Sequence, residues 1–348
     1  MALWGVSLSI DGLLREAGPV AMIHKLSIRN FKSIRELDLD CRRVNVFIGE
    51  PNVGKTNILE ALSLWSFGTL CEIKKTLRIN HINQLATDIS FDQGTHVQCD
   101  DFKLTAYWTH LGAFIDYEIP GFETSKYKID EKSGDVDCTS GQGYNEDAIK
   151  IHYYLFDPRE PTDSGDPGVL VAPFGNNLAG VLSSNREARQ AAGAFLEGSR
   201  YRLAVDRASR NVFLASDEDG TMTTLPYLAA SETLRRMIFY QIVLATNRDA
   251  VLVFDEPEAH SFPPYTKTLA ERIALDDQGN QFFLTTHSPY MLDSLLSKTP
   301  ASELNVVLCR MENYATKAYA LNQDQIDQIK EWSMDAFFNF DRLLPEVE

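Results

Sequence analysis

The chain has 348 residues, 44% of them hydrophobic, enough to bury a large core as one elaborate domain or as two lobes. Its 49 acids against 33 bases leave a formal charge of −16, a poor basis for general DNA binding, which depends on basic surface and counterion release. No apolar run reaches the ~18–20 residues that span a bilayer, and the five scattered cysteines, never spaced C-x-x-C, argue against a disulfide framework or zinc site and suit a reducing cytosol.

Residues 1–21 carry no clear periodicity and lack the basic start of a signal peptide, so they are expected to lie outside the fold, as an extension before Met22. His24 to Asn30 and Ile34 to Asp40 then alternate like the strands of an antiparallel pair. Val44 to Ile48 is an apolar run of strand length. The next eight residues, Gly49-Glu50-Pro51-Asn52-Val53-Gly54-Lys55-Thr56, fit G-x-x-x-x-G-K-[ST] without a mismatch, and Asn57 leads into a helix whose apolar face is Ile58, Leu59, Leu62 and Trp65. Each residue type in the loop has a physical task. The two glycines let consecutive N–H groups turn inward as an anion nest, and the new helix adds its positive N-terminal end. Lys55 reaches outer phosphates, and the Thr56 hydroxyl can ligate a Mg²⁺ held between them. A strand before the loop and a helix after it are the context such a motif requires, so this is a nucleotide phosphate site.

Between the loop helix and residue 100 the chain is partly helical, with Gln84 and Gln93 as candidates for sensing a γ-phosphate and nothing to distinguish either from a surface glutamine. From Asp101 to Tyr154 the runs FKLTAYW, AFIDYEI, YKID and AIKIHYYLF read as strands of a β-rich lobe beside the nucleotide core. Residues 101–170 hold fourteen acids and six bases, half the charge excess, and read as a solvated acidic face. Residues 156–177, rich in Pro, Gly and Asp, read as irregular, and Leu178 to Leu196 as helix. Three short strands follow, Arg202–Asp206, Asn211–Ala215 and Thr221–Leu225, and then a long apolar helix over Leu234–Thr246 that Ser231 is placed to cap.

Ala250 to Phe254 is a continuous apolar run, as expected of a strand buried on both faces of a parallel sheet. It ends in Asp255-Glu256-Pro257-Glu258-Ala259-His260, and the carboxyl end of such a strand is where open α/β sheets bind ligands. Asp255 is the candidate metal ligand beside Thr56, and Glu256 the candidate base for an attacking water. A second buried strand, Gln281 to Leu284, ends in Thr285-Thr286-His287-Ser288, which places His287 to contact a γ-phosphate or that water. The fold expected is therefore α/β: a P-loop NTPase with a mixed central sheet and a β-rich second lobe.

The chain resembles the ABC-type ATPases of the SMC, RecF and OLD group, in their small stand-alone form. The residues that carry the resemblance are RNFKSI (Arg29 to Ile34), GEPNVGKT, PFGNNLAGVL (Pro173 to Leu182), LAASETLRRM, VLVFDEPEAH and TTHSPYML, in family order from about residue 22 to 295. The resemblance implies ATP and Mg²⁺ as ligands, and a single head over 22–348: a P-loop lobe (22–100), a β-rich insertion (101–155), a helical signature-like region (156–248) and a part bearing the Asp-Glu and histidine motifs (249–348). It also implies heads that dimerise head to tail, with Ser231 meeting the γ-phosphate of the partner. Here the usual glycine after that serine is replaced, and Glu232 brings negative charge towards the phosphate. No heptads for a coiled-coil arm appear, and too few residues follow His287 for a Toprim nuclease. The remaining strands (Leu304 to Arg310, Thr316 to Leu321), helix (Gln323 to Trp332) and aromatic tail read as part of the head. The expectation is a cytoplasmic ATP-hydrolysing switch, acting on itself as a dimer and on a separately encoded effector, with phage defence as the setting by analogy. The alternative is a RecF-like DNA-binding ATPase of repair.

Overall fold

The computed structural model describes residues 22–66, 72–87, 94–130, 132–141, 150–159, 168–206 and 209–343; the extension expected over 1–21 and Gln93 lie outside them. β1 (Lys25–Phe31) and β2 (Ile34–Asp40) form the antiparallel pair that their alternation predicts. β3 (Val44–Ile48) is buried along its whole length and delivers the chain into the glycine loop, from which α1 (Lys55–Ser63) departs. After a single helical turn, Ile73–Thr76, come five antiparallel strands: β4 (Thr95–Cys99), β5 (Phe102–Thr109), β6 (Gly112–Glu118), β7 (Ser125–Ile129) and β8 (Val136–Ser140). They extend the β1–β2 pair into a seven-stranded sheet in the order β2-β1-β4-β5-β6-β7-β8. The β-rich lobe therefore begins at β1, well before residue 101.

β9 (Ile151–Tyr154) corrects the expected boundary at the other end. Its run IHYYLF reads like the lobe strands before it, yet it pairs parallel with β13 (Val251–Phe254) as the edge of the central sheet. That sheet has six strands in the order β16-β15-β3-β14-β13-β9, completed by β14 (Gln281–Thr285), β15 (Leu304–Glu312) and β16 (Ala315–Ala320). Only β15 and β16 pair antiparallel in it, so the sheet is mixed, as expected.

The uniformly apolar strands still divide their side chains by parity. Phe47, Val251, Val253 and Phe283 face a core shared with α1 and the β-rich lobe, whereas Val44, Val46, Ile48, Leu252, Phe254, Phe282 and Leu284 face a second core. Helices cover that second face. The expected helix over Leu178–Leu196 is two, α2 (Leu178–Ser184) and α3 (Arg186–Ala194), because Asn185 adopts an extended backbone and caps the second through Ala188 N–H. A three-stranded antiparallel sheet, β10 (Arg202–Asp206), β11 (Asn211–Glu218) and β12 (Thr221–Pro226), leads into α4 (Glu232–Thr246), which Ser231 caps as expected by accepting from Leu234 N–H. α5 (Pro263–Ala274), α6 (Pro289–Lys298) and α7 (Gln323–Trp332) complete the layer.

α1 lies between the two sheets, against β1 on one side and β9, β13 and β14 on the other. Trp65, just past its end, stands edge-on to Tyr117 at 5.3 Å and to Phe102 at 6.4 Å, while Tyr117 OH donates to Leu64 O at 2.7 Å.

At the opposite end of the central sheet, buried Gln281 joins the chain entry to the core. Its amide accepts from Ile23 N–H at 2.7 Å and donates to Ile23 O and Arg42 O, each at 2.8 Å. Gln281→Leu should remove the partner of the Ile23 N–H and C=O, while Arg42 O keeps its bond from Asn45 Nδ2 at 2.6 Å, and lower unfolding stability by about 1–3 kcal/mol. Urea melts of both proteins measure this; equal midpoints would mean that water replaces the amide.

Candidate active site

The glycine loop leaves β3 at its carboxyl end, flanked by the ends of β14 and β15. Gly49 has φ 139° and Gly54 φ 88°, conformations that side chains disfavour. Space also excludes anything larger: a Cβ on Gly49 would sit 2.3 Å from Cys309 O, and one on Gly54 1.9 Å from Thr316 Oγ1. Asn52, at φ 63°, adds a third left-handed residue, and Glu50, Pro51 and Val53 complete the loop. Lys55, at 5% exposure, bends its ammonium back over the loop and donates to Gly49 O at 3.1 Å and Glu50 O at 2.7 Å. Burial lowers its pKa, against the opposing pull of Cys309, Glu256 and Asp255.

The loop is braced by a directed chain of hydrogen bonds. Asn57 Nδ2 donates to Ser33 Oγ at 2.7 Å, Ser33 and Thr316 hydroxyls meet at 2.6 Å, and Thr316 Oγ1 donates to Val53 O at 2.9 Å. Asn57, one of the residues expected to bind nucleotide, thus spends its side chain on Ser33, and its N–H on Gly54 O. Its contribution is to the shape of the loop.

β14 runs between β3 and β13, so the ends of three neighbouring strands converge. Thr56 Oγ1 donates to Asp255 Oδ1 at 3.0 Å, Thr285 Oγ1 donates to the same oxygen at 2.7 Å, and Glu256 N–H donates to Thr285 Oγ1 at 3.0 Å. The Thr56 hydroxyl and Asp255 carboxylate, both hard oxygen donors, are therefore paired beside the phosphate nest, a donor set that fits Mg²⁺. Glu256 adopts φ 45°, and its carboxylate, 44% exposed, lies 3.6 Å from His287 Nε2. Burial, then the charge of Lys55, lowers the His287 pKa against the pull of Glu256 and Asp255, so the imidazole is neutral at pH 7.

Several residues at the site escaped sequence reasoning. Glu60, buried in the middle of α1, pairs with Lys32 from the β1–β2 turn and with Arg78, whose Nη2 also lies 3.6 Å from Asp255. Burial raises the Glu60 pKa and lowers that of Lys32. Glu258 is buried behind Glu256 and engages Thr286 and His287. The β1–β2 turn and β16 are far away in sequence; for Glu258 the signal was a second acid inside the Asp-Glu motif. Gln84 is occupied locally, accepting from Asn80 N–H at 2.8 Å and His81 N–H at 3.2 Å. Ser231 serves its own helix, and Thr233 beside it donates to His260 O at 2.7 Å.

A phosphate nest, paired Thr and Asp oxygens and a Glu–His pair at the carboxyl ends of a mixed sheet define a P-loop ATPase head of the ABC type. Comparison with known proteins agrees. Residues 22–152 match the family described as "AAA ATPase domain", and residues 146–293 the family described as "AAA domain, putative AbiEii toxin, Type IV TA system". Two ATPase-domain family models thus match consecutive parts of the chain, and its fold is that of an SMC head. One solved SMC head, bound to the C-winged helix domain of ScpA, matches over 88% of this chain and 99% of its own, with TM-score 0.53 and 15% identity. Another, an Smc head with an extended coiled coil bound to the C-terminal domain of ScpA and derived from Pyrococcus furiosus, matches over 89% and 98%, with TM-score 0.52 and 14% identity. At such identity the likeness is one of fold. No curated protein matches the sequence. Among the described residues, no helix is long and apolar enough to cross a membrane.

Burial lifts the Glu258 pKa from 4.5 to about 7, with Glu256 adding to the rise and Thr286 and the His287 amide opposing it. An acid that holds its proton more tightly when folded contributes stability fully below its unfolded pKa and loses it as pH climbs through the folded one. Glu258→Gln mimics the protonated form. Its stability relative to the natural chain should therefore increase by about 2–3 kcal/mol between pH 5 and pH 8. Denaturant melts at the two pH values test this, and a difference that stays constant would refute it.

Proposed function

We propose that the chain binds Mg²⁺-ATP in this site, hydrolyses it, and uses the nucleotide state to control assembly with a second copy and with a separately encoded effector. The observation that carries the reading is the convergence of Thr56, Asp255, Glu256 and His287 at one end of the sheet. Thr56 and Asp255 would hold the metal, which supplies charge neutralisation to the phosphates. The backbone of Gly49 to Thr56 and the Lys55 ammonium bind the phosphate oxygens and fix their direction. Lys55 is already inside the nest, on the Gly49 and Glu50 carbonyls, and exchanges these for phosphate without leaving it. Glu256 accepts the proton of the attacking water. His287 orients that water or the γ-phosphate as a neutral imidazole.

Dimerisation through the α4 N-terminus also gains support. The objection was the charge of Glu232, but Arg236, one turn further on, pairs with it at 3.1 Å. Ser231 then presents a helix end whose nearest acid is already countered. A role in phage defence rests on family analogy alone; the description of one matching family names a putative toxin of a Type IV TA system, and the site itself adds nothing to it.

Glu256→Gln keeps the volume and hydrogen-bonding capacity of the side chain while removing the basic carboxylate. ATP binding should be unchanged, and hydrolysis should fall by roughly 10²–10⁴-fold. With ATP persisting, a dimer should accumulate as an ATP-dependent doubling of light-scattering mass. Asp255→Asn should lose magnesium-dependent affinity as well as turnover. Wild-type hydrolysis in Glu256→Gln would move the water to another residue, and lost hydrolysis without the mass change would remove the dimer from the proposal. Tight duplex DNA binding with stimulated turnover would favour a repair ATPase instead, against the charge of −16.

A further inference from the structure

Glu258 stands apart from the residues given to phosphate, metal and water, yet it is a carboxyl buried to 7% exposure at the edge of the site. Its Oε1 accepts from the Thr286 hydroxyl and, at 3.3 Å, from His287 N–H. Thr286 Oγ1 in turn accepts from Ser288 N–H at 2.9 Å. One carboxyl oxygen thereby holds Thr286 and His287 directly, and Ser288 through the Thr286 hydroxyl, just past β14. The other, Oε2, is buried without a hydrogen-bond partner among the described residues. A buried carboxyl with half its capacity unused is a poor choice for stability alone, since an apolar side chain would avoid the desolvation. What the carboxyl supplies is a fixed distance between two loops. Glu256 lies two residues past the end of β13 and His287 two past the end of β14, and among the described residues the pairing of the two strands stops at Phe254 and Leu284. Past that point the two loops are joined by Thr285, to Asp255 and the Glu256 N–H, and by Glu258.

We propose that Glu258 is a positioning residue for hydrolysis, a clamp that holds the Thr286–Ser288 segment so that the His287 imidazole stays beside the Glu256 carboxylate. This rests on the ATPase reading above. Glu258 touches no reacting atom in this scheme, and what it must supply is an acceptor at Oε1, not a charge or a proton. The Gln side chain has the same acceptor in the same place, and Ala has none.

The test has two independent readouts. Amide exchange by mass spectrometry over a peptide containing residues 284–292 reads the clamp without ATP: exchange at His287 and Ser288 should accelerate in Glu258→Ala and stay near wild type in Glu258→Gln. In steady-state ATP turnover, Glu258→Ala should lower kcat at least about tenfold with KM within about twofold, and Glu258→Gln should keep most of kcat. In a His287→Gln background, adding Glu258→Ala should cost less than about twofold further, because the clamp acts through His287. Thr286→Val removes one donor at nearly constant volume and replaces Glu258→Ala if that variant does not fold, with the same pattern expected. Unchanged exchange, a Gln variant as impaired as Ala, or losses that multiply in the double variant would each overturn the proposal. So would a His287→Gln variant with full kcat. A natural chain that hydrolyses no ATP would sink the ATPase reading instead, with the exchange comparison still deciding whether Glu258 holds the segment.

Discussion

The structure depends on one helix having a sheet on each side. α1 starts inside the phosphate nest and ends beneath the β-rich lobe, so its position fixes the loop relative to both sheets. Apolar packing alone would allow it to slide, because a greasy contact has no direction. The ion pairs of Glu60 supply the direction: Lys32 reaches it from the β1–β2 turn and Arg78 from the segment that follows α1. Arg78 then continues to the Asp255 carboxylate. A charge set built on a buried carboxylate contributes little net stability after desolvation. What it does provide is registration between the lobe, the helix and the Asp255 carboxylate.

The same logic recurs at the strand ends. Short hydroxyl side chains join the loops there: Thr285 to Asp255, Thr316 to Val53, and Ser33 between Thr316 and Asn57. A hydroxyl can donate and accept at once, which lets one small group connect two neighbours in little space. Between the glycine loop, β16 and the β1–β2 turn there is no room for more, given the contacts that a Cβ on Gly54 would make with Thr316 and Ser33. The tight fit and the hydroxyl network are two aspects of one arrangement, in which the nest is shaped from behind by strands of both sheets.

The contiguous parts of the site were legible in the sequence because their chemistry and their local structure coincide. The loop between Gly49 and Thr56 announces its own strand and helix, and Asp255 and His287 each end a run too apolar to be anything but an interior strand. The capping role of Ser231 followed from its place before a helical pattern. Long-range pairings were not legible. Thr316 and Ser33, or Lys32 and Glu60, are ordinary residues until folding brings them together. β9 reads as a lobe strand yet joins the central sheet, because aromatic residues suit a half-buried strand of the lobe as well as an edge of that sheet. The charge of Glu232 reads as uncompensated until Arg236, at the i,i+4 position where a partner belongs, is set beside it.

The strand order of the central sheet bears on how the chain comes off the ribosome. β3, emerging first, takes as neighbours β14 and β15, whose residues follow it by more than two hundred positions. The seven-stranded lobe, by contrast, draws all its strands from residues 25–140 and can close early. The nascent P-loop strand must therefore wait, unpaired on both edges until β14 emerges and on one edge until translation has passed Leu308. Nucleotide cannot template the first half of the protein, because the nest lacks the walls that hold its shape. A chain interrupted before β15 would expose an apolar strand edge, the kind of surface that chaperones bind and that aggregates in their absence.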